Sequence, residues 1–485
     1  MRCSFFLILA FFSCKSVVGQ TLSPAEARED IQFFRKKMAA WYPGIGYYKP
    51  KEIYEKKLDE LLADCSQPIH YQLFYQKIGA IRTILQDGHF GIYHRKKYVP
   101  KNAKLLPFQL RAAEGKYWVL FDLTPDSSLR RGTEIIAIDD QPIRGIHDLL
   151  TNEYRDGNDG PTEIGSRTRT MLAFAGFYAD WFGQRDSVLV CFKTDSAAAI
   201  DCRKLPCPTV RARDSILVER YPKHALPKPN LTFEMVDSMP KTAVLYVSSF
   251  EKIKKRDLFN LGFARKLKRD FREAKKNRVE NLVIDLRNNG GGSVLNSARL
   301  LRYLVPEPFS VFGDGHLKKR AICPYSFKGG PPPFGLLFFF FEHRWDKKSG
   351  GWRDRRHRKP GYKPHKSLIF NGQTWFLTNG ASFSAAVSVP SICRSHGIGK
   401  IVGEPTGGAF WGDFAARFKT VTLPNSKIRV RIPLKKLDHA VDFSKNKTLL
   451  VEPDFPVERT RSDVLLARDF VMPAVMALIK NGPVK

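Results

Sequence analysis

A short apolar strand running into a turn of small residues recurs three times in the C-terminal half of this 485-residue chain. The strand over 282–286 ends in Asp285-Leu286-Arg287-Asn288-Asn289-Gly290-Gly291-Gly292, and a helix is expected over 293–303. The strand over 373–377 runs into Thr378-Asn379-Gly380-Ala381-Ser382-Phe383-Ser384-Ala385-Ala386, with a helix over 383–395. The strand over 401–403 ends in Glu404-Pro405-Thr406-Gly407-Gly408. A further strand over 243–247 and a basic amphipathic helix over 257–276 complete the alternation. Strands separated by helices pair in parallel and are covered on their faces, so this half is an α/β layer. Residues 305–366, rich in Gly, Pro and Arg, break the alternation and read as an insertion loop.

The N-terminal half differs. Apolar residues recur at helical spacing from Ser23 to about Leu85, with Ser23-Pro24-Ala25-Glu26 as a helix start. The helices end at Gln86-Asp87-Gly88-His89. From about Phe108 to Leu150 short β runs take over, with a strand, turn and strand over 132–143 and a helix start near Ile146. Residues 186–235 read as further strands joined by Pro-rich links such as Leu226-Pro227-Lys228-Pro229. At the start, Arg2 and the apolar run Cys3 to Cys14 have the form of a signal peptide over 1–19, cleaved before Gln20. The alternative is a lipoprotein anchored at Cys14 in Phe12-Ser13-Cys14-Lys15. Either way the chain is expected to be exported, to the periplasm or cell envelope of a bacterium. Leu336 to Phe341 is too short to cross a membrane, and no transmembrane span is expected.

Hydrophobic residues at 43% and charged residues at 26% exclude a disordered chain. The net charge of +32 favours anionic neighbours such as lipid headgroups, while export argues against nucleic acid. The basic residues gather over 252–276 and over 344–366, where Arg353, Arg355, Arg356, Arg358 and Lys359 fall in the insertion. The insertion is therefore the expected contact with anionic surfaces. Eight cysteines are too few for a disulfide scaffold. Cys202 and Cys207 have no matching second pair, so no zinc site is expected, and a local disulfide and free thiols both stay open.

Four segments can carry chemistry, the strand-end turn Gly403-Glu404-Pro405-Thr406-Gly407-Gly408 among them. The glycines at 290–292 let backbone N–H groups face a ligand at a helix start, as an oxyanion site requires. Ser384 sits where a strand meets a helix, a placement that suits a nucleophile and equally a helix cap. His89 follows a helix and has weight only in company.

In this order the segments resemble those of the C-terminal processing (tail-specific) serine peptidases, together with Thr422-Leu423-Pro424-Asn425-Ser426 and Glu452-Pro453-Asp454. The resemblance implies a multidomain α+β and α/β chain: an N-terminal helical domain over 20–100, a PDZ-like β-rich module with linking strands over 101–236, and a crotonase-like layered protease domain over 237–485. It implies polypeptide substrates and no cofactor or metal. Many members pair the serine with a lysine 25 residues later, where this chain has Ala409; Lys400 precedes that strand. The resemblance is closer to the tricorn-like branch, in which a histidine upstream serves, here His89. It implies Ser384 as nucleophile, His89 as general base, and Gly291 and Ala385 as oxyanion donors. The acidic third member stays open between Asp442 and Glu452. Two other readings stay open: a catalytically inactive peptide- or ligand-binding protein on the same fold, and an adhesin driven by the positive charge.

Overall fold

The computed structural model describes residues 21–95, 102–194, 199–225, 229–253, 257, 261–322, 337, 339–355 and 361–482. The expected signal peptide with Cys3 and Cys14, the Leu226-Pro227-Lys228 link, Cys323, and Arg356, Arg358 and Lys359 lie outside them. Ser23 opens the first helix, Pro24–Trp41, with a closed capping box: its hydroxyl accepts from the Glu26 amide, and the Glu26 carboxylate accepts from the Ser23 amide at 2.8 Å. The helices Lys51–Asp64 and Tyr71–Gly79 follow. Their apolar stripes, including Ile31, Phe34, Tyr54, Leu58 and Phe74, share one core with Val430, Ile432 and Leu434 from the other end of the chain. Asp30 joins the two ends. Its carboxylate, fully buried, accepts from the Asn425 and Ser426 amides at 2.8 Å each.

The middle of the chain forms an antiparallel sheet in the order Phe108–Ala113, Lys116–Asp122, Glu134–Ile138, Ser187–Lys193, Asp201–Pro206. Helices Ile143–Tyr154, Ile164–Leu172 and Phe174–Phe182 pack with it in one core. The reading of 186–235 as strands alone is corrected by the helix Val210–Arg220, capped by Thr209. That helix buries none of its residues, so no apolar stripe announces it. Cys202 is joined to Cys191 on the neighbouring strand, and Cys207 is free and buried, so the local Cys202–Cys207 pairing does not occur.

The expected α/β layer is a six-stranded sheet in the order Thr232–Met235, Thr242–Tyr246, Asn281–Asp285, Gln373–Thr378, Lys400–Gly403, Phe455–Pro456. The first pair is antiparallel and the rest are parallel. Leu245, Ile284 and Phe376 face the helices Leu261–Lys276, Val294–Leu301 and Ala385–Ser395. Val244, Val283 and Trp375 face the last helix, Val471–Asn481. Both faces are covered, which explains the unbroken apolar runs.

The insertion is not simply a loop. Phe312–Lys318, His343–Asp346 and Gly351–Asp354 are strands of an antiparallel sheet with Arg429–His439 and Gly412–Thr422. Short strands rich in Gly and charge carry little periodic signal. Arg353 is paired with Asp314 and Asp346, and Arg355 donates to the Phe340 and His343 carbonyls. These two arginines thus hold the sheet. The strand Gly91–Tyr93 adds to the same sheet by pairing with Arg429–Arg431. Among the described residues no helix is long and apolar enough to cross a membrane.

Replacing Asp30 by Ala strands the buried Ser426 amide and the part-buried Asn425 amide. The Asp30→Ala protein is expected to lose about 3 kcal/mol, about 1–3 kcal/mol for each unsatisfied donor being usual. The shift in urea unfolding midpoint checks this; an unchanged midpoint would mean that the tie between the chain ends is incidental.

Candidate active site

Ser384 lies in the turn between the strand Gln373–Thr378 and the helix Ala385–Ser395. Its backbone has φ 58° and ψ −126°, a strained conformation for a residue with a Cβ, and its side chain makes no cap bond to the helix. The hydroxyl is therefore held at the positive end of the helix without being spent on it. Ser382 is different. It is fully buried, donates to the Leu286 carbonyl at 2.8 Å and accepts from the Asn379 amide at 3.1 Å.

The glycine turn packs directly on Ser384. A Cβ on Gly291 (φ 104°) would lie 2.8 Å from the Ser384 Cβ and 3.1 Å from the Ala385 nitrogen, so only glycine permits the approach. Buried Asn289 fixes this loop: its side chain donates to the Val247 carbonyl at 2.7 Å, and its carbonyl accepts from Phe383 at 3.0 Å. The Gly291 N–H donates to the Asn289 side chain at 2.8 Å. The Ala385 N–H takes no acceptor among the described residues.

His89 arrives from the other end of the chain, in the turn before the strand Gly91–Tyr93. It is buried, at 6% exposure, and clamped between two aromatic rings, Phe383 at 4.4 Å and Phe418 at 5.9 Å between centroids. Gly88 is required here because a Cβ would meet the Asn158 nitrogen at 2.4 Å and Phe383 at 2.8 Å. His89 Nε2 lies 3.9 Å from Asp413, and Nδ1 lies 4.0 Å from Asp87 with no hydrogen-bond partner. Both separations exceed hydrogen-bond length. Asp442 caps the short 3-10 helix Phe443–Lys445 through the Ser444 amide. Among the described residues Asp87 and Asp413 are the carboxyls at the imidazole, and neither Asp442 nor Glu452 is paired with it.

Burial dominates the electrostatics. It pushes His89 down to about 3, assisted by the positive charges of Arg431 and Arg169. Burial raises Asp413 to about 8, reinforced by Asp87 and opposed by the approach of the Ser384 hydroxyl. Burial likewise raises Asp87 to about 7, opposed by bonds from the His89 amide, the Tyr42 hydroxyl and the Phe90 amide, and by the charge of Arg431. Asp159 is raised by burial and by both neighbouring carboxyls. At neutral pH the imidazole is thus uncharged and Asp413 protonated, so their 3.9 Å contact is not an ion pair.

The ligand atoms of Asp87, His89 and Asp159 lie within 4.8 Å of one another, a spacing that a divalent cation can draw together. Every carboxyl oxygen in the group already accepts from a protein donor, however. Asp87 takes the His89 amide and Tyr42 hydroxyl at 2.8 Å each; Asp159 takes the Gly88 and Ala409 amides at 3.2 Å each. These bonds hold loops together.

Residues 241–457 match the model of Peptidase family S41. The chain carries a peptidase family S41 domain. It is a serine peptidase domain, of the hydrolases that cut peptide bonds. The S41 match contains Ser384, the glycine turn and Asp413, whereas Asp87, His89, Asp159 and Arg169 come from the segment before it. The fold is similar to that of mature CPAF: at 14% identity the match covers 95% of this chain and 99% of that one, with a TM-score of 0.65. Mature CPAF complexed with lactacystin matches over 91% of this chain and 95% of that one, again at 14% identity and TM-score 0.65. The photosystem II D1 C-terminal processing protease is 15% identical over 90% of this chain and 93% of that one, with a TM-score of 0.42. No curated protein matches the chain.

Sequence reading placed Ser384, His89, Gly291 and Ala385 in one site; Gly291 packs on Ser384 and Ala385, and His89 packs on Phe383, the residue before Ser384. It did not single out Asp87, Asp159, Asp413, Arg169, Phe418 or Arg431. Asp87 and Asp159 each sit beside a glycine in a turn, a signal too common to rank. Asp413 begins a long strand and carries no local mark.

Asp413 is expected to link stability to pH. Its folded value of about 8 lies above its ordinary 3.8, so the folded state holds a proton that the unfolded state releases. This contribution is fully present below the unfolded value and is lost as pH rises through the folded value. Asp87 acts with the same sign. The fall in Tm from about pH 5 to about pH 8 is therefore expected to be smaller in Asp413→Asn than in the parent. Equal or steeper falls in the variant would contradict a protonated Asp413.

Proposed function

We propose that the chain is an exported serine endopeptidase in which Ser384 is the nucleophile and His89 the general base. The observation that carries this reading is the strained, uncapped Ser384 at a helix N-terminus, packed through Phe383 against a neutral buried imidazole. His89 Nε2 takes the proton as the Ser384 oxygen attacks a peptide carbonyl. The Ala385 N–H stabilises the oxyanion; the Gly291 N–H joins it by exchanging its bond to Asn289. His89 then protonates the leaving amine, and water hydrolyses the acyl-enzyme by the reverse proton route. Asp87, facing Nδ1, and Asp413, facing Nε2 and Ser384, stabilise the imidazolium once ionised. Asp413 and Asp87 replace Asp442 and Glu452 as the acidic members of the proposal. The segment 101–236 is assigned as the PDZ-like module between a helical domain over 20–100 and the protease domain over 237–485. A catalytically inactive peptide binder on the same fold remains the rival reading.

A fluorophosphonate probe separates the two. Ser384 is expected to be labelled, with lactacystin, the ligand of the CPAF complex, competing. Ser384→Ala is expected to lower turnover about ten-thousand-fold or more and His89→Ala comparably, while Ser382→Ala and Lys400→Ala keep the site's chemistry. Labelling that survives Ser384→Ala would sink the assignment.

The pH profile is a second test. An ordinary imidazole would give an acid limb near about pH 6.5. With His89 at about 3, that limb should instead follow the carboxyls at about 7 and about 8, so kcat/KM is expected to be still rising above neutrality. A plateau already reached at about pH 6.5 would mean that imidazole titration alone sets the rate.

A further inference from the structure

We infer that Arg431 reads a carboxylate on the substrate, so that the subsite beside His89 takes an acidic group close to the scissile bond. This inference rests on the peptidase reading above. Arg431 lies on the strand Arg429–His439, opposite Gly91 on one side and Thr420 on the other. Val430, Ile432 and Leu434 of that strand are buried in the core, so the alternate positions Arg429 and Arg431 face the other way. The Arg431 guanidinium lies 3.9 Å from the centroid of the Phe418 ring, and Phe418 stacks on His89. The cation therefore sits one ring away from the proposed base.

The Arg431 side chain makes no hydrogen bond or ion pair to any described residue. The other cations nearby are already engaged. Arg169 lies over Phe383 at 5.3 Å, meets Asp156 at 3.6 Å and donates to the Ala381 carbonyl. Arg429 donates to the His94 carbonyl at 3.0 Å. The acid that Arg431 acts on, Asp87, is buried and bonded to Tyr42 and the His89 amide. Exposed Thr420 and Tyr93 edge the subsite, and the Tyr93 phenol takes the space over Gly91 that a side chain there would fill. A guanidinium stacked on an aromatic ring keeps its planar donors directed outward, and a carboxylate matches them with two parallel bonds. The carboxylate can come from an Asp or Glu side chain or from a chain terminus.

The test is a set of quenched peptides that differ only by Glu or Gln at one position, or by a free or amidated C-terminus. The parent is expected to favour the carboxylate at one position by about tenfold in kcat/KM, less at high salt. The Glu-set and terminus-set responses tell the two sources apart. Arg431→Gln should bring that ratio near one, and Arg431→Glu should turn the preference toward Lys at the same position. Arg429→Gln should keep the ratio. The same peptides bound to Ser384→Ala protein, followed by fluorescence anisotropy, give the ratio without turnover. No carboxylate preference in the parent, or one that survives Arg431→Gln in a folded protein, overturns the inference. Uncut peptides with an Arg431-dependent binding preference would overturn the peptidase reading and leave this inference standing.

Discussion

The site depends on one buried carboxyl, that of Asp159. Its two oxygens accept from the Gly88 and Ala409 amides at 3.2 Å each. Its own amide donates to the Gly407 carbonyl, and the next residue, Gly160, donates to the Gln86 carbonyl at 2.8 Å. One short turn thus laces the loop that carries His89 to the turn that follows the strand Lys400–Gly403. Small residues make this possible. A Cβ at Gly165 would lie 2.2 Å from the Gly157 carbonyl oxygen and 2.8 Å from the Gly407 Cα. Three distant stretches of chain meet here as backbone against backbone, and the short Asp159 carboxyl offers one oxygen to each of two amides.

That architecture sets the electrostatics. Asp87, Asp159 and Asp413 are all buried around His89, and desolvation raises every one of them. Ionising all three together would place like charges in a medium that screens them poorly. The imidazole meanwhile is kept neutral, held by two rings rather than by a hydrogen bond at Nδ1. The same burial pushes the carboxyls up and the imidazole down, so both kinds of group are driven toward their uncharged forms.

Much of the fold was legible because its signals are local. Ser23-Pro24-Ala25-Glu26 announces a helix by its own capping chemistry, and the strands 281–285 and 373–378 announce themselves by being apolar on both faces. The helix Val210–Arg220 and the strands within the insertion were missed because they bury little or alternate weakly. Of the site, Ser384 and Gly291 could be read from the turns between strand and helix. Asp413, Phe418 and Arg431 could not, because the hairpin of Gly412–Thr422 and Arg429–His439 that carries them meets the His89 segment through Gly91–Tyr93, residues more than 300 positions away.

The position expected to carry a lysine in many tail-specific peptidases is Ala409 here. Ala409 is 2% exposed, packs in the core that joins the two ends of the chain, and gives its amide to Asp159. A lysine there would need room for a four-carbon stem and an ammonium in a core that also holds Phe414 and Trp411. The chain fills that core with aromatic and apolar groups, in keeping with a base proposed from the N-terminal side. A buried lysine must be driven downward to act as a base; a buried imidazole is neutral already. In the proposed Ser384–His89 pair, the tuning by pH would then fall to the carboxyls around the imidazole.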